Sequence, residues 1–320
     1  MQSGQKGWLN ACFAKLLKTA PGMERLVIKM SFSSVKGWLE ACSTQQLSLW
    51  ELILLDDMRE RGIGRDDSLR EMKQLWAAMR SAGADYDGSL RSASGLTGGD
   101  GAKLAAYFQQ GGLADGYIGQ VMIHAVCMAE SNACMKRIVA SPTAGACGVL
   151  PAVLLPLQEA GATSEDQILR ALYVAGGFGQ IIAQRATISG AQGGCQAEIG
   201  SASAMAAAAL VFLRGGDGEA CAHACAMALS NLLGLVCDPV AGLVEAPCVK
   251  RNVIGAMNAV SCADMALAGL QSVIPADEVI DAMGDVGRAM PEALRETSLG
   301  GLAATPTGQA ITNRLRNADQ

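Results

Sequence analysis

Three cysteines stand where the backbone breaks. Cys195 follows Gly193 and Gly194, Cys237 precedes Asp238 and Pro239, and Cys248 follows Pro247. Gly and Pro let the chain turn a sulfur toward a shared point, which a cysteine inside a helix does less easily. Three converging thiolates can bind metal, and the central expectation is an iron–sulfur cluster with one iron left free of cysteine. Each cysteine withheld from a four-iron cluster leaves an iron able to take another ligand, and such an iron can act as a Lewis acid. The gaps of 42 and 11 residues (195 to 237, 237 to 248) fit neither a zinc ribbon nor a ferredoxin run. Spacing alone therefore leaves a non-catalytic helical protein stabilised by zinc as an alternative.

Other polar groups gather near these breaks. Lys250 and Arg251 follow Cys248 directly; they could hold a carboxylate, offset a cluster's negative charge, or simply open a helix as a solvated pair. Asn132, Ser141, Thr143 and Gly145 lie in or just before a Pro-held turn that suits the polar ends of an amino acid, although Ser141 and Thr143 could equally cap a helix. Glu198 and Asp238 are candidate acceptors around the thiolates or plain helix caps. The chain's two histidines, His124 and His223, sit in apolar helical stretches without an activating partner nearby in sequence, and read as core or helix-surface residues. No catalytic base is identified. The run Ser94-Gly-Leu-Thr-Gly-Gly-Asp100 lacks the spacing of a nucleotide-binding loop and reads as a turn or a carboxylate-binding nest.

Helices must position these groups. Half of the 320 residues are apolar, 17% are charged and only 4% aromatic, which suits close-packed helices with small side chains. Leu47, Trp50, Leu54 and Met58 keep helical spacing up to Gly62, and Ser68-Leu-Arg-Glu71 predicts a capped start for the next helix. A second capping box, Ser164-Glu-Asp-Gln167, opens a helix to Gln184, and further helices are expected at 117–134, 148–159, 197–213, 218–235, 252–270 and 275–287. Alternating strands are absent from this reading. The expected fold class is all-α, a single helical catalytic domain over residues 30–320 behind an N-terminal extension at 1–29.

A net charge of −5 gives no basic footprint for nucleic acid. The uncharged run Ile138–Gln158 is long enough for a membrane span, yet Pro142, Pro151 and Pro156 interrupt it, so buried core is expected and no membrane. Eleven cysteines without a secretory signal point to the reducing cytoplasm. The first 29 residues are basic, with Trp8, Leu9, Phe13, Leu16 and Leu17 able to form one face, and no function is drawn from them.

Five stretches carry a resemblance: Ser94-Gly-Leu-Thr-Gly-Gly-Asp100, Ser141-Pro-Thr-Ala-Gly-Ala-Cys-Gly148, Ser189-Gly-Ala-Gln-Gly-Gly-Cys-Gln-Ala-Glu-Ile-Gly-Ser201, Cys237 through Asn252, and Gly300-Gly-Leu-Ala-Ala-Thr-Pro-Thr-Gly308. Together they resemble the alpha subunit of the iron–sulfur-dependent L-serine dehydratases (L-serine ammonia-lyases), in order over about residues 31–310. The resemblance implies a [4Fe–4S] cluster on Cys195, Cys237 and Cys248 and an α,β-elimination of L-serine to pyruvate and ammonia. The open iron would take the substrate's hydroxyl, with no pyridoxal phosphate. A related lyase acting on threonine or cysteine is the nearest alternative. The family's Ser-His-Thr motif, carried in a beta portion, is absent here, so a beta subunit is expected as the partner supplying it. Cys127, Cys134 and Cys147 also lie in or near these motifs, and the tail ending at Gln320 has no cysteine to occupy the open iron.

Overall fold

A 13-residue Ala-rich helix is buried at the centre, with four other helices packed on it. In the computed structural model, which describes residues 32–318, the elements run α1 (Val35–Gln45), α2 (Leu49–Arg61), α3 (Arg65–Ala84), α4 (Asp100–Gln109), α5 (Gly116–Ala133), α6 (Val149–Glu159) and α7 (Glu165–Arg185). The one-turn α8 (Gly190–Gly193), a π-helical turn (Gln196–Gly200), α9 (Ser201–Leu213), α10 (Gly218–Ser230), α11 (Cys248–Leu267), α12 (Ala276–Ala289) and α13 (Pro306–Ala318) follow. Short 3₁₀ turns lie at Val240–Gly242, Glu292–Leu294 and Gly301–Ala304. Among the described residues no β-strand forms, and one isolated backbone bridge joins Cys237 to Arg295. The expected all-α class holds. The expected extension at 1–29 lies outside the described residues.

Helix α9 is buried from Ser201 through Val211 and packs against α7, α10 and α11. Its alanines let neighbouring backbones approach, and its apolar faces on all sides require that enclosure. Together with the π turn it makes an 18-residue run, Gln196–Leu213, apolar enough to cross a bilayer, but 83% of it is buried within the protein. The other apolar run divides: residues 138–148 are irregular, and only from Val149 does it become helix α6. Trp38 meets Phe178 edge to face at 5.7 Å, seating α1 on α7.

Capping explains two starts differently from expectation. Ser164 caps α7 as predicted, its hydroxyl accepting from Gln167 N. The Ser68 box does not form: α3 already begins at Arg65, and Ser68 is buried inside it, within hydrogen-bonding distance of Asp57 and of the Tyr173 hydroxyl. Burying a hydroxyl with two partners satisfied outweighs a cap available at the surface. Helix α10 stops at Ser230, earlier than expected, and α11 starts earlier, at Cys248.

Candidate functional site

Each candidate thiol is fixed by its own break. Gly194 takes φ 75°, where a β-carbon would lie 2.9 Å from Leu235 O, and the chain then enters the π turn just after Cys195. Buried Gln196 ties this turn to the approach to Cys237: its N donates to Leu235 O (2.9 Å), and its Oε1 accepts from Gly234 N (2.8 Å). Cys237 is held as a strand would be, donating to Leu294 O at 2.8 Å and accepting from Glu296 N at 2.7 Å. Cys248 is the first residue of α11.

Cys195 acts electrostatically on both Cys237 and Cys248. Neighbouring Cys237 holds the Cys195 thiol below its ordinary range; burial and Glu198 oppose this, and Arg251 assists. Cys237 is correspondingly raised, first by Cys195 and then by burial. Burial pushes Cys248 up to about 12, with Cys195 and Glu198 adding to the effect. Among the described residues no three His, Cys, Asp or Glu side chains close on one point as a single metal ion requires. A multi-iron cluster spreads its ligands over several metal atoms, and an all-thiol donor set suits it.

Charged groups ring the thiols. Arg251 donates to Asp238 Oδ1 (2.8 Å) and Val236 O (2.8 Å), so its guanidinium is fixed beside the sulfurs. Asp238 also accepts from Leu302 N at 2.7 Å, tying in the tail motif; a β-carbon on Gly301 would fall 2.4 Å from the Asp238 carboxylate. Asp238 is therefore the buried partner of Arg251. Lys250 instead lies exposed and pairs with Asp100 at 3.4 Å.

Glu198 Oε2 lies 4.0 Å from the Cys237 sulfur. Burial pushes this carboxyl up to about 7, with the Thr143 hydroxyl opposing the rise and Glu296 contributing to it. Gly145 and Gly190 leave the room: β-carbons there would come within 3.3 Å and 2.6 Å of the Glu198 carboxylate. Thr143 and Gly145 thus reach the thiol site. The buried hydroxyls of Ser131 and Ser141 have no hydrogen-bond partner within the protein. Asn132 Nδ2 donates to Ala144 O at 3.2 Å and braces this turn.

The remaining candidates are elsewhere. His124 Nε2 pairs with Glu159 (3.2 Å), and His223 lines a surface cleft with Glu40, Glu219 and Asp277. Cys147 is fully buried with its sulfur 3.8 Å from Met128 O, and Cys127 is buried on α5. The Gly-rich run is a filled nest: the N–H groups of Gly98, Asp100 and Gly101 donate to Glu130 at 3.1, 2.9 and 3.1 Å. Sequence reading missed Glu130, although it is the only acidic residue of the apolar helix α5. It also missed Glu296, whose φ of 63° is unusual for a side-chain-bearing residue and whose carboxyl is raised by burial.

Fold and site together define an all-α protein with a buried three-cysteine centre bordered by carboxylates and one arginine. The sequence pattern described as serine dehydratase alpha chain matches residues 44–303, so the chain belongs to that family. It is 47% identical over 285 residues to the probable L-serine dehydratase alpha chain of Bacillus subtilis (strain 168), covering 89% of this chain and 95% of that one. Identity to the L-serine dehydratase alpha chain of Peptoniphilus asaccharolyticus is 40% over 275 residues, covering 85% and 94%. The L-serine dehydratase of Streptomyces coelicolor (strain ATCC BAA-471 / A3(2) / M145) is longer: at 35% identity the match covers 88% of this chain but 62% of that protein.

Proposed function

We propose that this chain is the alpha chain of an L-serine dehydratase, converting L-serine to pyruvate and ammonia in the cytoplasm, with Cys195, Cys237 and Cys248 holding a [4Fe–4S] cluster. The observation that carries the reading is that buried Cys195 lies within electrostatic reach of buried Cys237 and Cys248, each at its own helix break, in a chain of this family and beside a fixed arginine. The donor set fits the group: it is all sulfur, and the glycine at 190 keeps the space next to Cys237 free of side chain. When bound, such a cluster supplies Lewis acidity toward the substrate's hydroxyl at the iron without a cysteine.

The chain's own residues have definable tasks. Ser141 offers a buried hydroxyl without a partner and Thr143 one beside Glu198, suited to the ammonium and carboxylate ends of an amino acid, and Asn132 with Gly145 shapes their turn. Arg251 balances thiolate charge; because its donors are already engaged by Asp238 and Val236 O, charge balance suits it better than direct substrate clamping. Lys250, exposed at the rim, is available to an incoming carboxylate only by leaving Asp100. The proton on Cα needs a base, and a beta chain supplies it in this proposal.

The test is anaerobic purification followed by iron and sulfide analysis, a visible spectrum, and serine turnover with and without a beta chain. Iron, sulfide and broad thiolate-to-iron absorbance are expected, each lost in Cys195→Ser, Cys237→Ser or Cys248→Ser. Zinc in place of iron, or undiminished ammonia release from all three variants, would overturn the proposal.

A further inference from the structure

Cys248 begins its helix on a tight turn. Val249 N reaches back to Glu245 O (2.9 Å), and Arg251 N to Pro247 O (3.2 Å), so the turn is internally closed. The side chain of Glu245 joins it to the Gly-rich loop, as Asn252 joins its helix to the Ser-Pro-Thr-Ala-Gly turn. This carboxylate is buried, and no cation pairs with it among the described residues. One of its oxygens accepts from two hydroxyls, Ser92 Oγ at 2.6 Å and Ser94 Oγ at 2.7 Å.

The two serines are themselves held. Ser92 Oγ accepts from Thr97 N (3.3 Å) and Ser94 Oγ from Leu96 N (3.0 Å), and Ser92 N donates to Thr97 O (3.0 Å). The loop they open continues into the nest around Glu130, which also accepts from the Tyr86 hydroxyl at 2.6 Å. Glu130 belongs to α5 and is 1% exposed. A continuous polar path thus runs from the rigid helix α5 through the Gly-rich loop to Glu245 and the turn of Cys248. At Gly98, where φ is 130°, a β-carbon would lie 2.3 Å from Leu90 O, so the loop tolerates no side chain there.

We propose that Glu245 is a positioning residue for Cys248: by clamping Ser92 and Ser94 it locks the Cys248 turn to the loop that Glu130 locks to α5. The Gly-rich loop is then a strut for the thiol centre and takes no phosphate. Cys195 and Cys237 are set independently, through Gln196 and through residues 294–296, so loss of the clamp affects one thiol of three. The functional consequence, retention of the cluster, rests on the cluster proposal; the geometric claim does not.

The experiment compares wild type, Glu245→Ala, Glu245→Gln and the double variant Ser92→Ala/Ser94→Ala, which removes the clamp from its other side. Each metal-free protein is exposed to iodoacetamide, and alkylation of each cysteine is followed by peptide mass spectrometry. In Glu245→Ala and the serine double variant, Cys248 is expected to label at least about tenfold faster, the factor for losing hydrogen bonds to a charged group. Cys195 and Cys237 stay as slow as in wild type. Glu245→Gln keeps an accepting oxygen and falls between. In anaerobically loaded protein the same variants release iron to a chelator faster and alter the electron-paramagnetic-resonance signal of the reduced sample.

Unchanged Cys248 labelling in both clamp variants overturns the inference. So does equal acceleration at all three cysteines, which is the signature of general loosening. Wild-type protein without iron and sulfide would remove the cluster proposal, while the labelling pattern would still decide the role of Glu245.

Discussion

Asn252 makes three hydrogen bonds from a fully buried amide: Oδ1 accepts from Gly148 N (2.8 Å), while Nδ2 donates to Gly145 O (2.8 Å) and Cys248 O (3.0 Å). It joins the Ser-Pro-Thr-Ala-Gly turn to the helix of Cys248. Asn252→Leu is expected to cost about 2–5 kcal/mol, since buried backbone groups lose partners, and the urea midpoint at unchanged slope measures it. Asn252→Asp places a carboxylate against two carbonyls and is expected to be at least as damaging at neutral pH. A second residue carries a pH signature. Burial, with Glu60 nearby, pushes Asp56 from its ordinary 3.8 up to about 6, despite Arg59 at 2.7 Å. A raised carboxyl favours the folded state fully below pH about 4, and that contribution is lost as pH rises through about 6. Asp56→Asn should flatten this slope between those limits, by up to about 3 kcal/mol in unfolding experiments at several pH values. The cysteines were legible as residues because Gly and Pro flank them. Glu130 and Glu245 were not, because their partners lie about 30 and 150 residues away in sequence and no local pattern joins them.

Helix α7 shows how neighbouring positions on one element obey opposite rules. Gly176 faces open space, and a β-carbon at Gly177 would meet Ile53 at 2.6 Å and Trp38 at 2.9 Å. Gly176→Ala is expected to stabilise by about 0.5–1 kcal/mol, the ordinary gain of removing glycine from a helix. Gly177→Ala should reverse that sign, because the packing of α1 and α2 on α7 must shift; thermal melts of the pair decide it. Helix existence was readable from apolar spacing, as in α2 and α7, and Ser164 marked a true start. Ser68 misled because a capping sequence also suits a buried hydroxyl once Tyr173 arrives from another helix. The π turn after Cys195 and helix α13 left no usable local signal: the first is imposed by packing around Gln196, and the second is polar on most of its surface.

Across the whole molecule, the ion pair of Arg251 and Asp238 connects three distant stretches, since Asp238 also takes the Leu302 amide. Arg251→Met strands a buried carboxylate and is expected to cost about 3–5 kcal/mol. Adding Asp238→Asn should recover part of that loss, as chemical denaturation of both proteins would show. Nothing in the primary order suggested that residues 294–302 would sit beside Cys237, because long-range pairing of irregular segments has no periodicity. That arrangement has a temporal corollary. A ribosome extrudes Cys237 well before Leu294, Glu296 and Leu302, so the seat around this sulfur is assembled only after residue 302 has emerged. Nascent chains stalled at residue 290 should leave Cys237 open to a maleimide that the released polypeptide excludes, and delivery of any inorganic cargo would then wait for residues 294–302.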